Sequence, residues 1–179
     1  MSADIDNRIR LAAAASAQLR SVLSPNSGST LAVRVQLYSA IVKATLTYGG
    51  AEAWALSQTQ RARLDAFHTR QLRRIAGVQR GEGEPSNADV YARTKSGPVT
   101  ALVAKARLRW LGHVARMDKG CLTHRLLFAA EVPGGARGVG APHLTWVKAV
   151  HEDLEERGLA DTWLEVAQDR VEWRRKALS

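Results

Sequence analysis

The chain has 179 residues, with 26 lysines and arginines against 17 aspartates and glutamates, a formal net charge of +9 and a pI near 10.4. Such a surplus attracts polyanions through counterion release and long-range steering, so nucleic acid leads the partner classes, ahead of an anionic membrane surface or an acidic protein. A single cysteine, Cys121, excludes an internal disulfide framework, and no apolar run approaches the ~20 residues of a membrane span; the expected setting is a reducing, intracellular one, nucleus or cytoplasm.

Apolar residues recur at spacings of three and four throughout, and no useful stretch alternates with a period of two, which predicts an all-α fold. Ile5, Ile9, Ala12, Ser16, Leu19 and Leu23 share one face of a first helix from about Asp4 to Leu23, broken by Ser24-Pro25-Asn26-Ser27-Gly28. Thr30 is a cap for a second helix, Leu31 to about Leu46, with Leu31, Val35, Tyr38, Val42 and Leu46 on its apolar side. Ser57 with Gln60 three residues on has the form of a capping box, and Gly77 stands where a C-cap glycine belongs, which frames a third helix ending at Ile75.

Residues 81–98 read as a linker, polar and glycine-rich over Gly81–Ser86, with a short helix after Ser86 and a break at Gly97-Pro98. A long helix follows from about Val99 to Met117, then a shorter one over Leu122–Ala130. The stretch 133–142, with four Gly and two Pro, is a loop. Two amphipathic helices close the chain, about His143–Arg157 and Asp161–Leu178. The architecture expected is an irregular bundle of two small helical subdomains, 1–80 and 99–179, joined by Gly/Pro-rich loops.

The positive charge is concentrated. Six arginines face one aspartate between Ser57 and Arg80, six basic residues face one aspartate between Lys105 and Arg125, and the segment from Lys148 on has six basic against eight acidic residues. At 100° per residue, Arg63, Arg70, Arg73 and Arg74 share an arc opposite Leu64, Phe67, Leu72 and Ile75, a face suited to tracking phosphates or to plain solvation. In the long helix, Lys105, Arg109, His113 and Arg116 form the polar half. Arg107 falls among the apolar residues and needs a partner, an internal carboxylate such as Asp153 or Asp169, or a phosphate. Gly112 in mid-helix implies close approach of another element. Arg170 and Arg174 lie beside the apolar stripe of the last helix and are expected to clamp acids of a neighbouring helix rather than a nucleic-acid strand. Arg137 adds a cation in the Gly-rich loop. Trp54, Trp110, Trp146 and Trp173 are core fillers or stacking rings.

No constellation for catalysis emerges. The adjacent acids Glu152-Asp153 and Glu155-Glu156 sit on an amphipathic helix, without the strand context of a two-metal site, and no phosphate loop or nucleophile elbow is present. His113, Cys121 and His124 match no closed zinc spacing. The expectation is a chain without catalysis, cofactor, metal or small-molecule substrate.

Several blocks, in order, resemble the region after the polymerase core in reverse transcriptases of non-LTR retrotransposons, the long interspersed elements. These are Ile5-Asp6-Asn7-Arg8-Ile9 with the Ala-rich helix behind it; Leu46-Thr47-Tyr48-Gly49 with Glu52-Ala53-Trp54; Leu72-Arg73-Arg74-Ile75-Ala76-Gly77; Leu108-Arg109-Trp110-Leu111-Gly112-His113-Val114-Ala115-Arg116-Met117; Gly140-Ala141-Pro142 through Trp146; and Asp169-Arg170 with Trp173-Arg174. Two departures stand out: one extra residue before Glu52, and Ala141 where the family has Arg.

The resemblance implies a thumb-like subdomain over 1–80 and a helical region after it that grip template RNA or an RNA–DNA hybrid. It also implies a polymerase domain upstream, with the catalytic aspartates, as a further partner, so that Met1 would begin a truncated element. Its nucleic-acid contacts would be Arg63, Arg70, Arg73, Arg74, Lys105, Arg109, His113, Arg116 and Arg137. The competing readings are a helical protein-interaction domain, whose Trp and Arg side chains are internal, and a retroelement remnant that binds nothing.

Overall fold

A computed structural model describes residues 2–78, 83, 85–129 and 145–178. The fold is all-α, with no strand among the described residues. No helix there is long and apolar enough to cross a membrane. Arg137, the loop 133–142 and the Gly140–Pro142 block lie outside the described residues.

The chain divides into two compact units, one of residues 1–50 and 57–102, the other of residues 51–56 and 103–179. The segment expected as a linker carries a helix of the first unit, which runs on to Leu102.

The first unit holds α1 (Ser2–Gln18), α2 (Arg20–Leu23), α3 (Leu31–Tyr38), α4 (Ala44–Thr47), α5 (Gln58–Ala76), α6 (Asn87–Thr94) and the start of α7 (Val99–Ala115). The helix expected over Asp4–Leu23 is interrupted at Leu19, which leaves the helical region at φ −93°, ψ 10°. The second expected helix is continuous in direction but not in type: α3 and α4 are joined by a π-helical turn, Ser39–Lys43. Arg34, Tyr38, Val42 and Leu46 are all buried. Steps of four overshoot the 3.6-residue turn, and the wider π turn, with i→i+5 bonds, counters that drift and keeps the stripe on one side.

The capping box of α5 is formed in both directions, Ser57 N–H donating to Gln60 Oε1 at 2.8 Å and Gln60 N–H to Ser57 Oγ at 3.3 Å. Gly77 ends the helix in the left-handed region at φ 68°. Ser86 and Asp89 form a second capping box on α6. Buried Ile5, Ala12, Val42, Leu46, Leu64, Phe67, Leu72, Ile75 and Val90 supply the apolar core of this unit. Asp65 of α5 accepts from Thr100 N–H at 3.1 Å and Thr100 Oγ1 at 2.7 Å, holding the first turn of α7.

A polar seam crosses that core. Fully buried His68 meets the Tyr38 hydroxyl at Nδ1 (2.7 Å) and the Gly97 carbonyl at Nε2 (3.1 Å). A carbonyl only accepts, so Nε2 carries the proton and Tyr38 donates to Nδ1. Burial, with Lys43 nearby, pulls the imidazole down to about 4, against partial opposition from the Gly97 bond and Asp65; burial raises the Tyr38 phenol, with Tyr91 adding to the effect. Because the folded value lies below the unfolded 6.5, the unfolded chain binds the extra proton. Stability is full above pH 6.5 and falls, by on the order of 3 kcal/mol, as pH drops towards 4. Urea unfolding from pH 7 to pH 4 should show this loss in the parent chain and a flatter profile in His68→Gln; parallel profiles would rule out a neutral buried imidazole.

The second unit contains a short 3₁₀ turn, Ala51–Ala53, the remainder of α7, α8 (Leu122–Ala129), α9 (Trp146–Glu155), α10 (Trp163–Gln168) and α11 (Arg170–Ala177). Its core gathers Leu108, Leu111, Ala115, Val150, Leu154, Leu159, Val166, Ala167, Trp173 and Ala177. The expected single closing helix is two, because Asp169 steps out to φ −87°, ψ 111° and caps α11, accepting from the N–H groups of Val171 (2.7 Å) and Glu172 (3.1 Å). Those bonds hold its carboxyl below the usual range.

Asp153, not Asp169, takes Arg107. Both side chains are 2% exposed, and the pair is bidentate, Nε to Oδ2 at 2.7 Å and Nη2 to Oδ1 at 2.8 Å. Arg107 Nη1 donates to the Trp54 carbonyl at 2.7 Å, and Trp146 Nε1 donates to the Glu52 carbonyl at the same distance. These two bonds place the segment 51–56 in the second unit although its sequence neighbours belong to the first.

Candidate nucleic-acid interface

Arg109 and His113 on α7, and Arg116 in the turn directly after its last residue, stand at spacings of four and three, so they reach one side. On α11, Arg170 and Arg174 are one turn apart. The two helices meet at Gly112, where an added Cβ would lie 2.7 Å from Cδ1 and Cε2 of Trp173 and closer still to Nε1. Trp173 donates from Nε1 to the Leu108 carbonyl at 3.1 Å. The glycine predicted to allow a close approach thus lets an indole sit on α7, and the arginines flanking that indole reach the same side as Arg109 and Arg116.

The result is a cleft of about 800 Å³ whose walls carry Arg109, His113, Arg116, Arg170 and Arg174, with Trp173 between them; no carboxylate among the described residues lines it. Arg116 is anchored by a 2.6 Å bond from Nη1 to the Ala167 carbonyl. Its pKa is lowered, first by burial and then by the charge of Arg170. Guanidiniums crowd one another here with no carboxylate among the described residues on the walls, which is the electrostatic setting of an anion site. The expectation that Arg170 and Arg174 clamp internal acids fails: both are exposed and open into the cleft. Lys105 is half-buried on α7 and does not border it.

The α5 arginines belong to the first unit. Arg70, Arg73 and Arg74 border a concavity of about 460 Å³ with Thr69 and Asn87. Arg73 donates from Nη2 to the Pro85 carbonyl and to Asn87 Oδ1, each at 2.9 Å, so it ties the start of α6 to α5. Arg63 is ion-paired with Asp6 of α1. Of the four arginines expected on this face, Arg70 and Arg74 are the exposed pair without an ion-pair partner among the described residues.

Of the four tryptophans expected as core fillers or stacking rings, Trp54 and Trp173 are core, being buried. Trp110 and Trp146 are half-buried, with rings edge to face at 5.1 Å. They line an apolar groove of about 640 Å³ with Leu126 and Val147.

No family model matches the sequence, and no solved structure matches it significantly. The chain is 29% identical over 148 residues to a transposon-derived protein of Caenorhabditis elegans, an alignment covering 79% of this chain and 52% of the relative. The chain therefore spans about half the length of the curated relative it matches. The similarity supports a transposon origin for the chain.

Proposed function

We propose that this chain is a non-catalytic, nucleic-acid-binding portion of a retrotransposon reverse transcriptase, a retroelement remnant that grips template RNA or an RNA–DNA hybrid. The observation that carries the reading is the second-unit cleft, where four arginines and a histidine converge and no described carboxylate lines the walls. Guanidiniums bind phosphate bidentately, and contacts of this kind fix a backbone without reading sequence. Arg70 and Arg74 on the first unit are the second contact set.

The test is binding of an RNA–DNA hybrid duplex across a salt series. Log affinity should fall steeply with log salt, and Arg109→Ala/Arg170→Ala/Arg174→Ala should flatten that slope by about 0.9 for each phosphate contact removed. Arg116 is left in place because its bond to Ala167 supports the fold. An unchanged slope in a folded triple variant would remove the cleft from the interface.

One observation favours a second reading, a helical protein-interaction module: the apolar groove beside Trp110 and Trp146, with exposed Leu122 and Leu126 on α8. A folded parent chain that ignores the hybrid duplex at low salt would select it.

A further inference from the structure

The first unit has a third concavity, of about 700 Å³, bordered by the end of α1, α2, the turn after it and the last turns of α5. That volume lies within the ~300–1,000 Å³ of pockets that enclose small ligands. Its character differs from the arginine clefts. Arg20 and Arg74 supply charge, while Ser16, Ser21, Ser24 and Gln71 supply hydroxyls and an amide, and no carboxylate lines it among the described residues.

The polar groups are held in place. Gln71 is 6% exposed and Ser16 4%, and Ser16 Oγ donates to Gln71 Oε1 at 2.8 Å. With its oxygen engaged, the amide leaves Nε2 and its two N–H donors without a protein acceptor among the described residues. The far end of the cleft is equally fixed. Nη1 of buried Arg34 donates to the carbonyls of Ser24 (3.2 Å), Pro25 (2.8 Å) and Ser29 (3.1 Å). The Pro25 ring packs on Gly77, where an added Cβ would meet it at 3.2 Å.

We propose that this cleft holds a ribose–phosphate segment of an RNA strand, with Arg20 and Arg74 on phosphates and the Gln71 amide, supported by the serine hydroxyls, on the ribose 2′-hydroxyl. The inference rests on the nucleic-acid reading above and sharpens it, because it makes the chain a discriminator of RNA from DNA. Arginine–phosphate contacts are blind to the sugar. The 2′-hydroxyl both donates and accepts, and it is the group by which a protein tells the two strands apart. A preoriented amide donor beside hydroxyls that donate or accept complements it, and a deoxyribose leaves that donor unpaired.

The experiment is fluorescence anisotropy of the full chain with an unstructured single-stranded RNA, the DNA of the same sequence, and the 2′-O-methyl RNA. The RNA should bind about tenfold more tightly than the DNA, with the 2′-O-methyl strand close to the DNA. Gln71→Met, similar in volume but without a donor, should abolish the tenfold preference so that RNA and DNA bind equally, whereas Arg20→Ala should weaken both strands. Equal binding of RNA and DNA by the parent chain would overturn the inference and leave the nucleic-acid reading standing. Binding of neither strand would overturn both. The strand comparison in the parent chain decides the matter even where Gln71→Met fails to fold.

Discussion

Replacing Arg107 with alanine is expected to lower the unfolding free energy by about 3–5 kcal/mol, the cost of leaving a buried charge without its partner. The stranded group would be Asp153, 2% exposed, which now accepts two charge-assisted bonds from the guanidinium. Asp153→Ala should cost as much from the other side, because Arg107 would keep only the Trp54 carbonyl. Arg107→Lys is no remedy, since an ammonium cannot form the bidentate pair and reach Trp54 at once. The pair itself, however, has offset the desolvation of two ions, so Arg107→Met with Asp153→Leu should recover most of the single-variant loss. Urea unfolding of the parent, Arg107→Met, Asp153→Leu and the double variant gives the coupling directly. Additive losses would show that the two side chains act independently and that the pair does not organise the unit.

That pair marks how far the sequence could be read. The angle of Arg107 on a helical wheel places it among apolar residues, and burial without a partner is too costly to persist, so local geometry alone calls for an anionic partner, an internal carboxylate or a phosphate, and the structure supplies Asp153. The boundary signals at Ser57, Gln60 and Gly77 were legible for the same reason: each is a local backbone requirement met by a neighbouring side chain. The break at Asp169 was legible in principle, as an aspartate followed three residues on by Glu172, but it lay inside an unbroken amphipathic pattern. What periodicity cannot carry is pairing across the chain. Arg63 shares an arc with Arg70 and Arg74, yet Asp6, 57 residues away, neutralises it. Arg170 and Arg174 looked like internal clamps, because nothing in their own helix shows that the facing helix presents Arg109 and Arg116. The assignment of residues 51–56 to the second unit depends on two backbone carbonyls being reached from Arg107 and Trp146, for which a sequence has no local signal.

Gly112→Ala tests the contact on which the cleft is built, and its sign is the point. In an exposed helix interior this change gains about 1 kcal/mol, since alanine is the better helix former. Here the new methyl would press on Trp173, a rigid ring 2% exposed whose Nε1 is committed to the Leu108 carbonyl. Overpacking of a filled site costs about 1–3 kcal/mol and sometimes more, so the gain in propensity is outweighed and the melting temperature should fall. Trp173→Ala should cost about 3–5 kcal/mol by emptying the same contact. Because the two changes act on one interface, the methyl at 112 should be tolerated once the indole is gone, and the double variant should be less impaired than the sum of its parts. The displacement also has a functional reading. Trp173 lies between Arg170 and Arg174 in sequence and lines the cleft with them. Pushing it off α7 separates those arginines from Arg109 and Arg116, and hybrid binding should weaken with a reduced salt slope even where the chain stays folded. A Gly112→Ala protein that melts higher than its parent would mean that α7 and α11 do not touch at this point. The arginine cleft would then lose the contact that assembles it.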